Sequence, residues 1–228
     1  MRMHVIDYVL WCADPVVMVA IAACMLRGRL QREFPFFFNF VLFQIAAFAV
    51  EFPLRNWVNY YYVYWIVAAL GVLVSFAVLV ELIQKVVDET KARLHWNVAV
   101  MCWCVLLAVV VAAIWPLSVG MDNVTNGIFV VERSVRFTQF GLAFLMVMFG
   151  TTVGLSKRNL VFGIAMGFGL FAMVNLLVMT LLSHQGLLKK IMLSRISSVA
   201  YVISMLIWLA YAVAAAKRNS SSQLPSAA

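Results

Sequence analysis

The sequence predicts an all-α membrane protein, a single bundle of seven transmembrane helices, and three observations predict it. Of its 228 residues, 65% are hydrophobic and 11% charged, whereas a soluble domain runs about 45–50% apolar and about 25% charged. Mean hydropathy is +1.00. The apolar residues fall into seven runs, each near the roughly 20 residues a helix needs to cross a hydrocarbon core about 30 Å thick. Such a composition excludes a water-soluble globule, a disordered chain and a disulfide-stapled scaffold. None of the runs alternates with period two, which argues against an outer-membrane barrel.

The first run, 5–26, follows Arg2 and contains Ile21-Ala22-Ala23-Cys24, similar to a lipoprotein processing box. Asp7 and Asp14 interrupt what would be a signal peptide, and Arg27, Arg29 and Arg32 follow at once. The run is therefore read as a retained first helix. The second run is 35–53, and the third, 60–84, opens among Trp57, Tyr60, Tyr61, Tyr62 and Trp65. Such amphipathic rings favour the membrane–water boundary. The fourth, 96–116, ends at Trp115, and the last three are 134–154, 160–182 and 191–215. The longest connection, Pro116 to Glu132, is too short to fold as a domain. Residues 1–216 are thus expected to form the transmembrane domain, and 217–228 a Ser-rich disordered cytoplasmic tail.

Orientation follows from the basic residues. One side collects Arg27, Arg29, Arg32, Lys85, Lys91, Arg93, Lys157, Arg158, Lys217 and Arg218, ten of the 17 Lys and Arg. That excess sets the N-terminus outside and the C-terminus in the cytoplasm. The net charge of +8 then reflects topology and headgroup anchoring, with the lipid bilayer as partner and no nucleic acid.

Cys12, Cys24, Cys102 and Cys104 all fall within the runs, where cysteine acts as a small apolar residue. Cys102 and Cys104 stand two apart, on different helix faces, so they form no chelating pair. His4, His95 and His184 lie near water without ligand spacing. No metal site, cofactor or catalytic residue is expected: the chain has no His-Glu-x-x-His pair, no Gly-x-Ser-x-Gly elbow and no phosphate loop.

Known seven-helix patterns sort the chain further. Residues 191–215 hold no lysine for a retinal Schiff base, and Glu81-Leu82-Ile83 and Ser197–Tyr211 lack the receptor motifs of G-protein-coupled receptors. Pro15 and Pro53 have no counterparts in the last three runs, against the matched halves of a repeat transporter. The pattern Glu132-Arg133-Ser134-Val135-Arg136, Gln139, Gly141-Leu142, Gly154-Leu155-Ser156, Arg158 and Phe162-Gly163-Ile164-Ala165-Met166-Gly167-Phe168-Gly169-Leu170-Phe171-Ala172 resembles a family of small, uncharacterised bacterial seven-helix membrane proteins. The resemblance extends over the whole chain and is most specific in the fifth and sixth helices. It implies a bacterial inner-membrane setting and brings no established activity.

Polar side chains inside spans are costly, so they point to function. Asp14 lies about nine residues into the first helix, and Pro15 beside it frees the carbonyl of Trp11. Such a carboxylate can bind a proton, a cation or an amine, or pair with an arginine. In the fifth helix, Glu132, Arg136, Gln139 and Ala143 share a face. Glu132 is expected to pair with Arg136, whose fork suits a carboxylate or phosphate or else snorkels to the interface. The seventh helix carries a seam of Ser194, Ser197, Ser198, Tyr201, Ser204 and Trp208 at helical steps, and the sixth carries Asn175.

Asp14, Gln139, Asn175, Ser198 and Tyr201 all lie roughly 10–15 Å from the outer face, at 1.5 Å per residue. With Arg136 they define a candidate ligand pocket among helices one, five, six and seven, against the alternative of plain interhelical contacts. Simpler readings cover the rest. Glu81 and Lys85 form an i, i+4 pair, and Glu51 and Arg55 straddle Pro53. Asn39, Gln44, Thr151 and Thr152 are packing contacts. The four-residue spacings Gly150–Gly154 and Gly163–Gly167 let helices approach, joining helices five and six or making a dimer face.

The function expected is that of a non-enzymatic sensor or accessory subunit, binding a small ligand or a partner protein. The cytoplasmic loops Arg29–Phe34 and Lys85–Arg93 are the candidate partner surfaces, and self-association is compatible with the glycine spacings. The alternative is a small-molecule transporter using the outward-facing pocket.

Overall fold

The computed structural model describes residues 5–55, 60–89, 133–141, 143–144, 159–182 and 187–222, and all regular structure among them is helical. The helices are α1 (Val5–Arg27), α2 (Pro35–Leu54), α3 (Tyr60–Glu89), α4 (133–141), α5 (Leu160–Leu182) and α6 (Leu187–Ser222). A short 3₁₀ turn, Leu30–Arg32, joins α1 to α2. The expected fourth span, and residues 145–154 of the fifth, lie outside the described residues. Helices α1, α2, α3, α5 and α6 stand where the first, second, third, sixth and seventh spans are expected.

Length and composition make four of them able to cross a membrane: Pro35–Leu54, Tyr60–Val86, Leu160–Val178 and Arg195–Asn219. Their outward faces are apolar. Ile66, Leu73 and Leu177 are each more than half exposed, which in water would be an association liability and in lipid is a matched surface. The protein is a multi-pass helical membrane protein.

α1 packs on α2 and α6, α2 on α3, α3 on α5, and α5 on α6, so these helices close a ring. Its centre is aromatic. Phe37 and Phe40 of α2 meet Phe168 of α5 and Trp208 of α6, with centroid separations of 4.7 Å for Phe168–Trp208 and 5.2 Å for Phe40–Phe168. Pairs at such distances contribute about 0.5–1.5 kcal/mol each beyond area burial. The indole Nε1 of Trp208 donates to the Ile164 carbonyl at 3.1 Å, so the largest buried side chain carries no orphan donor.

Small residues set the spacing of α5 and α6. A Cβ on Gly163 would collide with the ring of Tyr211, and one on Gly167 with the indole of Trp208. The Gly163–Gly167 pair therefore admits aromatic side chains of α6. It joins neighbours within one chain, as one reading of the spacing has it, but its partner is the last helix rather than the fifth. Gly169, outside the four-residue glycine spacings, faces Ala143 just beyond α4. Gly150 and Gly154 lie outside the described residues.

The amino end of α2 shows how a buried carboxylate is used. Phe34 occupies the N-cap and offers no side-chain acceptor, and Pro35 follows. The first amides need partners from elsewhere. Glu81 of α3 supplies them: its Oε1 accepts from Phe36 N–H at 3.0 Å and its Oε2 from Phe37 N–H at 2.8 Å. Phe38 N–H reaches the Phe34 carbonyl at 3.0 Å, and proline has no amide to satisfy. This adds to the local reading of Glu81 with Lys85, whose ammonium acts on the carboxylate electrostatically. The carboxylate is 3% exposed and spends its two oxygens on another helix, while Lys85 Nζ lies 5.7 Å from the Phe34 ring centroid.

α6 also runs further than its apolar stretch. Lys217–Ser222, expected as the start of a disordered tail, continue the helix. One hydrogen bond ties this extension to the end of α1, Asn219 Nδ2 donating to the Gly28 carbonyl at 3.2 Å, and just before it a close approach leaves no room for a Cβ on Gly28 beside Ala216. The tight exit from α1 places Arg29 at φ 54, the left-handed region, on the way to the 3₁₀ turn. Leu30, Phe34, Lys85, Asn159 and Arg218 surround one hollow of about 420 Å³. The basic residues counted to the cytoplasmic side that the structure describes thus share one end of the bundle. Tyr61, Tyr62 and Trp65 cluster at the opposite end, with Tyr61–Trp65 centroids 6.1 Å apart.

Candidate functional site

A cavity of about 230 Å³ opens within the half of the ring away from Glu81. α1 contributes Asp14 and Pro15, and α1 runs through that proline without a break. α2 contributes Gln44 and Glu51, α3 contributes Tyr64 and Ser75, α4 contributes Arg136, and α6 contributes Tyr201. Two carboxylates, one guanidinium, an amide and hydroxyls converge inside an otherwise apolar bundle.

Arg136 is fixed from two sides. Its Nη1 donates to Gln139 Oε1 at 3.0 Å, the i, i+3 neighbour that the face analysis paired with it. Its guanidinium carbon lies 4.6 Å from the Phe171 ring centroid of α5, and Phe171 in turn packs on Tyr201 with centroids 4.9 Å apart. Tyr201 is within electrostatic reach of both Asp14 and Arg136. An arginine held by an amide and an aromatic face is oriented, not snorkelling. Glu132, its expected partner, lies outside the described residues.

Unmet polar capacity marks the same region. Asp14 Oδ1 and Gln139 Nε2 are buried without a hydrogen-bond partner among the described residues. Buried polar atoms are nearly always partnered, so each such atom is a place where water or a ligand atom fits.

Of the six candidate residues, the structure brings Asp14, Arg136 and Tyr201 to one cavity. Gln139 stands behind Arg136, almost fully buried, and supports it rather than lining the space. Asn175 and Ser198 do not line it, and Ser198 is exposed on the outside of α6. The pocket is not formed among helices one, five, six and seven as expected. Among the described residues, α5 gives no lining side chain, while α2 and α3 give most of the wall. Depth was the same for all these residues; helix rotation separates them.

The polar seam of the last helix divides for the same reason. Ser204 Oγ bonds its own helix at the Ala200 carbonyl, 2.9 Å away, Trp208 reaches α5 and Tyr201 faces the cavity. Gln44, Glu51 and Ser75 are the residues that sequence reasoning missed. A usable signal exists for two of them: Gln44 and Glu51 are seven apart, two helical turns on one face of α2.

Among the described residues no cluster of three or more His, Cys, Asp or Glu could hold a metal ion. Cys12 and Cys24 are free thiols on α1. Comparison with known proteins gives no relative: no family model matches the chain, and neither curated proteins nor solved structures yield a match.

Proposed function

We propose that this chain is a non-enzymatic membrane module, a sensor or accessory subunit, that binds a small ligand in the cavity between α1, α2, α3, α4 and α6. The reading includes seven spans, a bacterial inner-membrane setting, an outer N-terminus and a cytoplasmic C-terminus. One observation carries it. Asp14, Glu51 and Arg136 line a common space of about 230 Å³, although charged groups in a bundle are costly unless they serve a purpose. A bundle needing only structural contacts would pair these groups directly and leave no volume between them.

The basic end offers the surface for a protein partner. The Arg29–Phe34 turn, the end of α3 at Lys85 and the extension of α6 at Arg218 border one hollow. A sensor or accessory subunit passes its state to a partner there. A second reading, a transporter, draws support from Asp14 on the cavity wall, since ionisable groups inside spans mark ion and proton pathways.

Gentle extraction followed by an intact-complex mass spectrum tests the proposal. A protein-sized increment above 25.6 kDa identifies a partner or a homo-oligomer. A small adduct that is lost in Asp14→Asn supports the ligand site. A bare monomer in every preparation contradicts both halves of the reading. Uptake into proteoliposomes that disappears in Asp14→Asn would move the assignment to transport.

A further inference from the structure

The charges around the cavity are not equivalent, and their arrangement restricts what fits. Arg136 gives Nη1 to Gln139 Oε1 at 3.0 Å and rests its face on Phe171 at 4.6 Å, so its orientation is set within the protein. Asp14 differs. Its Oδ1 is buried and accepts no hydrogen bond from the described residues, so it has an acceptor position to offer. Glu51 adds a second carboxylate to the wall.

The remaining wall matches the same sign. Phe43, Phe48, Tyr64 and Tyr201 line the cavity, and aromatic faces attract cations, by about 2 kcal/mol or more when the cation is desolvated. Size completes the description. A cavity of about 150 Å³ accommodates benzene, and scaling to about 230 Å³ gives room for about nine non-hydrogen atoms.

Resting on the reading of this cavity as a ligand site, we infer that it selects a small organic ammonium cation over an anion or neutral molecule of the same shape. The ammonium donates to Asp14 and is neutralised jointly by Asp14 and Glu51. The apolar body lies against Phe43, Phe48 and Tyr64. Arg136 keeps the place that Gln139 and Phe171 give it.

Three probes of matched shape test this on the full chain in detergent or nanodiscs: phenethylammonium, phenylacetate and 2-phenylethanol, each at millimolar concentration. Phenethylammonium is expected to raise the unfolding temperature by a few degrees through preferential binding to the folded state, and the other two to leave it unchanged. Glu51→Gln should weaken phenethylammonium binding by about tenfold, the scale of one charge-assisted contact, with the variant's elution profile checking its fold. An equal or larger shift with phenylacetate or 2-phenylethanol overturns the cation selectivity and leaves the ligand site standing. No shift with any probe overturns the selectivity and the ligand-site reading together.

Discussion

The Glu81 carboxylate holds the first turn of a helix far upstream of it, its Oε2 accepting the Phe37 amide at 2.8 Å while Oε1 takes Phe36 at 3.0 Å. The pair fixes the height of α2 against α3, and with it the level at which Gln44 and Glu51 face Tyr64 and Ser75 across the cavity. Phe37 is also part of the aromatic centre, with its ring 5.6 Å from Trp208. One carboxylate thus ties the register of two helices to the core of the bundle.

Replacing it should be expensive. Glu81→Ala leaves two buried amides without acceptors and is expected to destabilise the protein by about 3 kcal/mol, whereas Glu81→Gln keeps one acceptor and loses about half as much. Thermal unfolding of the purified variants distinguishes this from a surface i, i+4 pair, whose loss would change stability by only about 0.2–0.5 kcal/mol.

Gly167→Ala drives a methyl group into the Trp208 indole. The expected loss is about 1–3 kcal/mol from overpacking. Gly141→Ala is the matched control, because nothing among the described residues lies within 4 Å of a Cβ there. It should be neutral or stabilise α4 by up to about 1 kcal/mol through helix propensity. Equal effects of the two substitutions would mean that the close contact of α5 with α6 is not as described.

Trp208→Phe removes the donor to the Ile164 carbonyl but keeps a ring in the aromatic centre. Interhelical hydrogen bonds in membranes average about 0.6 kcal/mol, and the lost indole volume adds a cavity cost. A total of about 1–2 kcal/mol is expected in a denaturation series. Trp208→Ala should cost clearly more, because it also empties the space between Phe37 and Phe168.

Much of the fold could be read from the sequence, because a span is a local property: about 20 apolar residues between polar ends are visible without knowing any neighbour. The α1, α2, α3, α5 and α6 helices lie where their apolar runs do. What could not be read depends on rotation and on contacts across the chain. Asp14, Arg136 and Tyr201 were found because buried ionisable and hydroxyl groups stand out against an apolar background. Asn175 and Ser198 share their depth but face elsewhere, and depth alone cannot tell these cases apart. Gln44 and Glu51 have innocuous local explanations, and only the packing of α2 on α1 and α3 turns them toward Asp14. Glu81 has the same history. Its spacing to Lys85 is the local signal, whereas its hydrogen-bond partners are 44 and 45 residues away. A hint did exist, since Phe34-Pro35 begins a helix with no Ser, Thr, Asp or Asn to cap it.

The corrected site makes its own prediction. Asn175→Ala and Ser198→Ala should leave phenethylammonium binding unchanged, while Asp14→Asn reduces it by about tenfold. Titration of each variant by ligand-induced thermal shift reads this directly. A loss of binding in Ser198→Ala equal to that in Asp14→Asn would contradict the placement of Ser198 on the outer face of α6.

Whether Asp14 and Arg136 share one cavity is decided most directly by a double-mutant cycle of unfolding free energies. The variants are Asp14→Asn, Arg136→Gln and the two combined, each without ligand. Groups facing one space, with Tyr201 in reach of both, should be coupled by more than about 0.5 kcal/mol, the double variant losing less than its two parts together. Strict additivity, within about 0.3 kcal/mol, would contradict a common cavity and with it the ligand site.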